Sequence, residues 1–445
     1  MYGAHDPRSQ VEPANLLVFA AVLFGLSVLP HSPEAGIACA FAWCLCGASI
    51  WIARTHGFVT TDEKHHEVVL FFAVMTFTAF GLAGWAPWSP VAASELLERG
   101  PFGAMAAMAV ALFLSRHRQI GRKISLALVG IVLVVTAVAG VLHVRNTSDF
   151  GVDVFWLHRS AAEAIARGEN PYTDAVEVTN GAVTAKPGEM IVGYPYTPLT
   201  GLAYWAAEWG PGDSRYASLA SWLGTLALIG VLALRSGRRG DLYVLLLLAS
   251  IPGWPMVLRA GWTEPFALVL FTLAYAYWRR PVRSGVFLGL GLASKQYMAV
   301  TFPMLLLHRD RDWKRRVGVA ITCIVLVTLP AILWGPQAFW SAAIEFHLTR
   351  PLRVDSVNLI GALSAFGVVW VPPRWAATAV AILIAVIVGR WSKSRSSFAL
   401  GVALTLGGAF LVASQALPNY WFLITGLVAL SLLSPEPKGD AATAI

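Results

Sequence analysis

Two carboxylates, Asp149 and Asp153, follow directly after a strongly apolar segment of the chain. Acidic side chains are costly near hydrocarbon, so a pair of them at such a place indicates a function. A carboxylate beside a reacting hydroxyl group can accept its proton as a general base. The two residues would lie on nearly the same face of a helix, so each is a candidate base, and Asp149 is also a candidate helix cap.

Cations and aromatic residues that suit a sugar phosphate follow later in the chain. Arginine binds phosphate through paired hydrogen bonds, and lysine supplies a point charge. Tyrosine packs its ring against other flat faces and also favours the membrane interface. The candidates for binding the phosphate and sugar of a donor are Tyr194, Tyr196, Arg259, Glu264, Lys295, Arg350, Arg353, Asn358 and Asn419.

Structural roles are open alternatives for these residues. Lys295 and Glu264 would also fit a salt bridge that only stabilises the fold, and an arginine can extend to the membrane interface without binding a ligand. Lys295 is the strongest candidate, because a cation inside a membrane is costly without a partner. The four cysteines lie in apolar runs and His65-His66 lies in a charged loop, so no metal site is predicted. No cofactor is predicted, although these patterns do not decide whether a divalent metal takes part.

The composition identifies an integral membrane protein. Of 445 residues, 57% are hydrophobic and 13% are charged, with a mean hydropathy of +0.63. Soluble domains contain about 25% charged residues, so this chain cannot cover its surface with polar groups. The net charge of +8 comes from arginine and lysine clusters in short loops. This is the pattern of cytoplasmic loops and not of a nucleic-acid surface, so no nucleic-acid partner is predicted.

Apolar segments of about 20 residues predict the membrane crossings. Two further segments, 241–278 and 284–307, each begin and end at a basic loop, so each must cross an even number of times. The second is too short for two full crossings and predicts two half-helices that meet near Ser294-Lys295-Gln296. The first predicts a hairpin with bends near Pro252 to Glu264. The predicted single crossings are 14–30, 36–53, 67–86, 102–115, 124–143, 215–234, 317–334, 374–391, 398–414 and 420–433.

This topology places the unusual polar residues on the outer face of the membrane. Irregular backbone at membrane depth is tolerated where it lines a protein cavity, so both bends should open into an outer cavity. The outer loop 144–214 should carry an amphipathic helix at 155–167 and a surface segment at 198–209. The fold class is an all-α polytopic membrane protein of about 12 to 14 membrane helices, some short and broken. Both termini should be cytoplasmic, including a tail at 434–445.

Several short motifs resemble a known enzyme group. They are Asp153-Val-Phe-Trp156, Gly168-Glu-Asn-Pro-Tyr172, Tyr194-Pro-Tyr-Thr-Pro-Leu199, Gly261-Trp-Thr-Glu-Pro265, Gly289-Leu-Gly-Leu-Ala-Ser-Lys295 and Ser356-Val-Asn-Leu359. Together they resemble the polyprenyl-phosphate-dependent glycosyltransferases of the GT-C superfamily, most closely glycosyltransferase family 87 with its mycobacterial-type mannosyltransferases. The resemblance covers roughly 124–433. It implies a catalytic core within 116–433 and an additional transmembrane block at 1–115.

The resemblance implies a reaction. A hexose or pentose, mannose for example, would move from a polyprenyl-phosphate donor to a hydroxyl group of a lipid or cell-envelope glycan, with inversion at the anomeric carbon. Asp153 matches the general base, and the site would face outward from a bacterial cytoplasmic membrane. Two positions depart from the pattern: Tyr196 replaces a usual proline, and Asn419 stands where relatives often carry histidine.

Other functions use similar features. A transporter or flippase of lipid-linked sugars also contains broken helices, and a ligase would transfer a whole lipid-linked glycan. Against transport, no internal repeat is visible in the chain. A purely structural scaffold would leave the outward clustering of charged residues unexplained.

Overall fold

The structure is a computed structural model that describes residues 13–27, 33–56, 63–82, 95–117, 120–147, 153–173, 175–177, 190–308, 310–350, 352–353, 356–368, 372–373 and 375–434. The first helices are α1 (Pro13–Leu26), α2 (Pro33–His56), α3 (Glu63–Leu82), α4 (Glu95–Leu114) and α5 (Arg122–Asn146). The segment that the sequence predicts to lie outside the membrane, called the outer segment below, then contains α6 (Asp153–Ala166), β1 (Ala175–Glu177), β2 (Met190–Val192) and α7 (Pro198–Trp209). The middle of the chain forms α8 (Arg215–Ser236), α9 (Arg239–Ala249), α10 (Trp254–Arg259), α11 (Glu264–Ala276), α12 (Pro281–Ser294), a 3-10 helix (Gln296–Thr301), α13 (Phe302–Leu307) and α14 (Trp313–Trp334).

The last third is also helical. It contains α15 (Pro336–Phe339), a π-helical stretch (Trp340–Glu345), α16 (Phe346–Thr349), α17 (Leu359–Ala365), α18 (Ala376–Trp391), α19 (Arg395–Val412) and α20 (Pro418–Leu432). The two short strands pair antiparallel, with Ala175 opposite Val192 and Glu177 opposite Met190. Apart from this hairpin, regular structure in the described ranges is helical, which confirms the all-α class.

The predicted single crossings each coincide with one helix. Four of the described helices are both apolar and at least 18 residues long, namely Arg122–Asn146, Arg215–Ser236, Trp313–Trp334 and Arg395–Val412. Shorter apolar helices accompany them, and the chain is a multi-pass membrane protein. Many of these helices fall short of the length of about 20 residues on which the predicted number of crossings was based, so that number stays a prediction.

The predicted breaks in these two segments are confirmed, whereas the even number of crossings stays a prediction. The segment 239–276 divides into α9, α10 and α11, and the segment 281–307 divides into α12, the 3-10 helix and α13. Pro255, Pro265 and Pro303 each lie in the first two positions of a helix. Proline fits there because the first helical N–H groups have no partner within the helix, so each proline begins a new helix where the preceding one stops.

The outer segment has the elements expected of it. The predicted amphipathic helix 155–167 is α6, and the predicted surface segment 198–209 is α7. Gly193, with φ of +84°, turns the chain from β2 into the following motif. At this glycine a Cβ would contact the backbone of Tyr172 and the Cβ of Ala342, so the turn requires glycine. The termini 1–12 and 435–445 lie outside the described residues, and their cytoplasmic location stays a prediction.

Candidate active site

Lys295 lies at the break between the two half-helices. It follows the last residue of α12 with extended backbone, φ −147° and ψ 147°. Its Nζ forms an ion pair with Oε1 of Glu264, and both side chains are buried. Glu264 lies in the first turn of α11, and Lys295 lies just beyond the end of α12. Each charge therefore stabilises the helix end beside it, because carboxylates favour N-termini and cations favour C-termini.

Three tyrosine rings surround the ammonium group. Nζ of Lys295 lies 5.5 Å from the ring centre of Tyr196, 5.2 Å from that of Tyr297 and 5.6 Å from that of Tyr420. The hydroxyl group of Tyr297 also donates to Oε1 of Glu264 at 3.0 Å. Aromatic faces attract cations, so this aromatic cage stabilises the charged form of Lys295 in a site with little water.

The Tyr194-Pro-Tyr196 motif is fixed by contacts from distant parts of the chain. The Tyr172 hydroxyl donates to the Tyr196 carbonyl at 3.1 Å, and the Tyr194 N–H donates to the Pro171 carbonyl at 2.9 Å. The Asn-Pro-Tyr and Tyr-Pro-Tyr motifs therefore form one unit. Its position fixes the Tyr196 ring against Lys295.

His347 and Gln296 hold the centre of the same motif. Nε2 of His347 donates to the Pro195 carbonyl at 2.6 Å, and the Gln296 side chain donates to the same oxygen. Burial lowers the pKa of His347 to about 4, and the charges of Lys295 and Arg350 act in the same direction against the Pro195 hydrogen bond. His347 is therefore a neutral hydrogen-bond donor near neutral pH.

His158 connects α6 to this motif. Its Nδ1 is hydrogen-bonded to the Tyr194 hydroxyl at 2.9 Å. Its ring stacks on Tyr204 at 4.0 Å and on Tyr196 at 5.3 Å between ring centres. Burial lowers the pKa of His158 to about 3, and the charge of Lys295 adds to this effect. A neutral His158 therefore positions α6, and with it Asp153.

Asp153 is the first residue of α6 and is partly buried. Burial raises the pKa of its carboxyl group, while the charges of Arg350 and, to a smaller extent, Arg353 lower it. The Asp153 charge also acts on Tyr196, one wall of the aromatic cage. The structure thus brings Asp153, two guanidinium groups and the Lys295 cage into one electrostatic environment. Asp149 lies outside the described residues.

The two arginines come from the segment that follows α16. Arg350 lies over the ring of Phe346, with Cζ 3.8 Å from the ring centre. Arg353 donates its backbone N–H to the Ser414 carbonyl at 3.0 Å, which connects it to the turn before α20. Arg259, at the end of α10, interacts electrostatically with His143 at the end of α5.

The two asparagines have different surroundings. Asn358 caps α17: its Oδ1 accepts from the Gly361 N–H at 2.7 Å, and its Nδ2 donates to the carbonyls of Phe410 and Ala413. Its side chain is thereby committed to the fold. The Oδ1 atom of Asn419 is buried and has no hydrogen-bond partner among the described residues. No hydrogen bond among the described residues fixes this oxygen.

Sequence reasoning missed four residues of the site. His158, His347, Tyr297 and Tyr420 gain their roles from contacts between segments far apart in the chain. A local signal existed for the tyrosines, since Tyr297 is two residues from Lys295 and Tyr420 directly follows Asn419. Within the described part of the chain, no three His, Cys, Asp or Glu side chains form a cluster that could hold a metal ion.

Comparison with known proteins gives one match. The sequence model of glycosyltransferase family 87 matches residues 194–430. The matched region includes the Tyr-Pro-Tyr motif, Lys295, both arginines and Asn419, whereas Asp153 precedes it. Neither the curated proteins nor the solved structures contain a match to this chain.

Proposed function

The chain belongs to glycosyltransferase family 87, which matches more than half of its length, and from this premise we propose a reaction for it. The protein is a membrane glycosyltransferase. We propose that it moves a hexose or pentose from a polyprenyl-phosphate donor to a hydroxyl group of a lipid or cell-envelope glycan. The site would face outward from a bacterial cytoplasmic membrane.

One observation carries the proposal: a carboxylate and several cations share one environment at a helix break. Asp153 interacts electrostatically with Arg350 and Arg353 and with Tyr196, whose ring centre lies 5.5 Å from the Lys295 ammonium. A donor with a sugar phosphate needs cations at the phosphate and a base at the acceptor hydroxyl. This arrangement supplies both.

The proposed mechanism is a single displacement. Asp153 accepts the proton of the acceptor hydroxyl, and the hydroxyl oxygen attacks the anomeric carbon of the donor sugar. The bond from that carbon to the phosphate oxygen breaks, and polyprenyl phosphate leaves with the electron pair. Arg350, Arg353 and Lys295 stabilise the negative charge that develops on the phosphate. Attack opposite the leaving group inverts the anomeric centre.

The electrostatics of Asp153 suit this role. Burial raises its pKa and makes the carboxylate a stronger base, while the two arginines oppose the shift and favour the ionised form. The donor phosphate would bind to the same cations. The Asp153 carboxylate and the donor phosphate would therefore compete for the two arginines. The Lys295 ammonium would supply further positive charge to the phosphate.

The test is a transfer assay in detergent. Purified protein would be incubated with labelled polyprenyl-phosphate sugars and a membrane glycan extract, and wild type compared with Asp153→Asn, Asp149→Asn and Asp312→Asn. Asp312 is exposed, far along the chain in a basic loop, and serves as the control. Loss of a general base should lower the rate by about 10²- to 10⁴-fold in Asp153→Asn, with donor binding retained.

The other outcomes decide against parts of the proposal. Loss of transfer in Asp149→Asn alone would identify Asp149 as the base. An active Asp153→Asn enzyme would remove Asp153 from the mechanism. If wild type transfers no donor sugar but moves lipid-linked sugar across vesicle membranes, the protein is a flippase.

A further inference from the structure

Helices α1 and α2 precede the region that matches the family, yet they pack against the loops that carry the site. Helix α2 lies close against α17. A Cβ atom at Gly36 would overlap the carbonyl oxygen of Asn358. Asn358 is the cap of α17, and its amide holds the carbonyls of Phe410 and Ala413. The backbone of α2 therefore fixes where this cap lies.

A tryptophan adds a second contact from α2. The indole N–H of Trp43 donates to the Leu404 carbonyl of α19 at 2.9 Å. Its ring lies against Gly407 and Gly408 of the same helix, where an added Cβ would approach the ring to 3.1 Å and 3.4 Å respectively. These glycines let α2 and α19 lie close together, so movement of α2 would move α19.

Helix α1 reaches the site through Trp421. Phe24 stacks on Trp421 with 5.4 Å between ring centres and an angle of 7° between the planes. Both side chains are buried. The Trp421 indole N–H donates to the Val357 carbonyl at 2.6 Å. Trp421 of α20 is thereby held by Phe24 of α1 and by Val357 in the loop before α17.

That loop and the turn before α20 are joined by backbone hydrogen bonds. The Val357 N–H donates to the Ala416 carbonyl at 2.7 Å, and the Arg353 N–H donates to the Ser414 carbonyl at 3.0 Å. Tyr420, which adjoins Trp421, stacks on Phe410 with 4.6 Å between ring centres. Arg353 and Tyr420 are thus attached to the structure that α1 and α2 hold.

We propose that α1 and α2 position the phosphate side of the active site, with Gly36, Trp43 and Phe24 as positioning residues that act through Asn358 and Trp421. They touch neither Lys295 nor Asp153 in the described contacts. On the base side, α6 with Asp153 is held by His158, which is hydrogen-bonded to the Tyr194 hydroxyl. Disturbing α1 or α2 should therefore affect the donor and leave the acceptor side unchanged.

The first test compares two glycines of α2. Gly36→Ala introduces a methyl group against the Asn358 backbone, whereas Gly47→Ala introduces it where nothing lies within 4 Å. Hydrogen–deuterium exchange would be measured on both proteins in detergent. We expect faster exchange in peptides covering 352–362 and 413–421 in Gly36→Ala only. This readout needs no substrate, so it tests the inference even if the proposed reaction is wrong.

The second test rests on the proposed function and uses the transfer assay. In Gly36→Ala we expect the KM for the donor to rise by about tenfold, since misplacement by about 1 Å can cost up to about a hundredfold. The KM for the acceptor should stay within about twofold of wild type, because the base side is positioned by other residues. A merely unstable protein would instead lose kcat through a smaller active fraction, with both KM values unchanged.

A second pair of variants covers the case in which Gly36→Ala does not fold. Phe24→Leu removes the ring that stacks on Trp421, and Phe19→Leu changes a phenylalanine of the same helix that is 59% exposed. We expect the higher KM for the donor and the faster hydrogen–deuterium exchange in Phe24→Leu, and neither change in Phe19→Leu. Two results would overturn the proposed positioning role of α1 and α2. One is faster hydrogen–deuterium exchange confined to α1 or α2 in a folded variant, and the other is a donor KM equal to that of wild type.

Discussion

Lys295 and Glu264 form an ion pair that is almost inaccessible to water, with exposed side-chain fractions of 5% and 0%. Such a pair has two possible roles: it can stabilise the fold, or it can hold a charge for the substrate. Burial makes the two roles separable, because a lone buried charge destabilises a protein far more than the loss of a complete pair.

A pair of variants tests this distinction. Lys295→Met leaves the Glu264 carboxylate without its cation and should lower the free energy of unfolding by about 3–5 kcal/mol. The double variant Lys295→Met with Glu264→Gln removes both charges and should recover most of that loss. Sugar transfer should remain lost in both, since the phosphate lacks its cation. Recovery of transfer together with stability would show that the pair only stabilises the fold.

Arg350 should tune the base. Its charge lowers the pKa of Asp153, so Arg350→Gln should raise that pKa further. A general base is active only when ionised, and kcat/KM falls as the pH drops through its pKa. The acid limb of the profile should therefore move to higher pH in Arg350→Gln and stay in place in Arg311→Gln, which changes an exposed arginine of a basic loop. If the acid limb of the kcat/KM profile stays at the wild-type pH in both variants, Arg350 does not affect the pKa of the base.

From the sequence, a residue could be singled out where its burial beside the membrane is energetically unfavourable. A lysine at a bend and an acid beside a membrane helix are expensive, so Lys295 and Asp153 stood out. The sequence predicted that Asn358 binds the donor. A helix cap and a ligand contact both use the side-chain amide, so the sequence alone does not distinguish them. The contacts in the structure show that Asn358 caps α17. His347 was missed because its partner Pro195 lies 152 residues away.

At the scale of elements, the break after Ser294 is stabilised by two threonines. The hydroxyl groups of Thr197 and Thr200 both donate to the Ser294 carbonyl, at the last residue of α12. Carbonyl groups at a helix end have no N–H partner within the helix. The two hydroxyl groups therefore supply the hydrogen bond that the Ser294 carbonyl loses at the break. They also attach the segment after the Tyr-Pro-Tyr motif to the half-helix that ends beside Lys295.

Because the two hydroxyls share one acceptor, their loss should not be additive. Thr197→Val or Thr200→Val alone leaves the carbonyl with one donor and should cost little. The double variant leaves a buried acceptor unsatisfied and should cost about 1–3 kcal/mol. Thr322→Val, which removes a comparable hydroxyl from an exposed position of α14, gives the control. Strictly additive losses in detergent unfolding would contradict the shared acceptor.

The elements themselves were largely predictable. The basic loops predict an even number of crossings for each short segment, and from this prediction alone we expected the two breaks that the structure contains. The hairpin of β1 and β2 was not predicted, because three residues per strand give too short an alternating pattern. The π-helical stretch at Trp340–Glu345 likewise has no signal in its composition.

For the whole molecule, the basic loops predict the orientation in the membrane, and thiol labelling would test it. In a background without the native cysteines, we introduce Thr173→Cys in the outer segment and Lys393→Cys between α18 and α19, both at exposed positions. A membrane-impermeant thiol reagent should label the first in intact cells and the second only after permeabilisation. The reverse pattern would place the active site on the cytoplasmic side.

Helix α9 lies in the interior of the molecule, where residues 241–249 are buried around its whole circumference. It packs on α3, α8 and α20, and α20 is the last of the described helices along the chain. Helix α1 also packs on α20, since Phe24 stacks on Trp421. During synthesis both surfaces must therefore be shielded by lipid or by the insertion machinery. A chain that ends before residue 418 would leave both surfaces without α20, so they can complete their packing only once α20 has been synthesised.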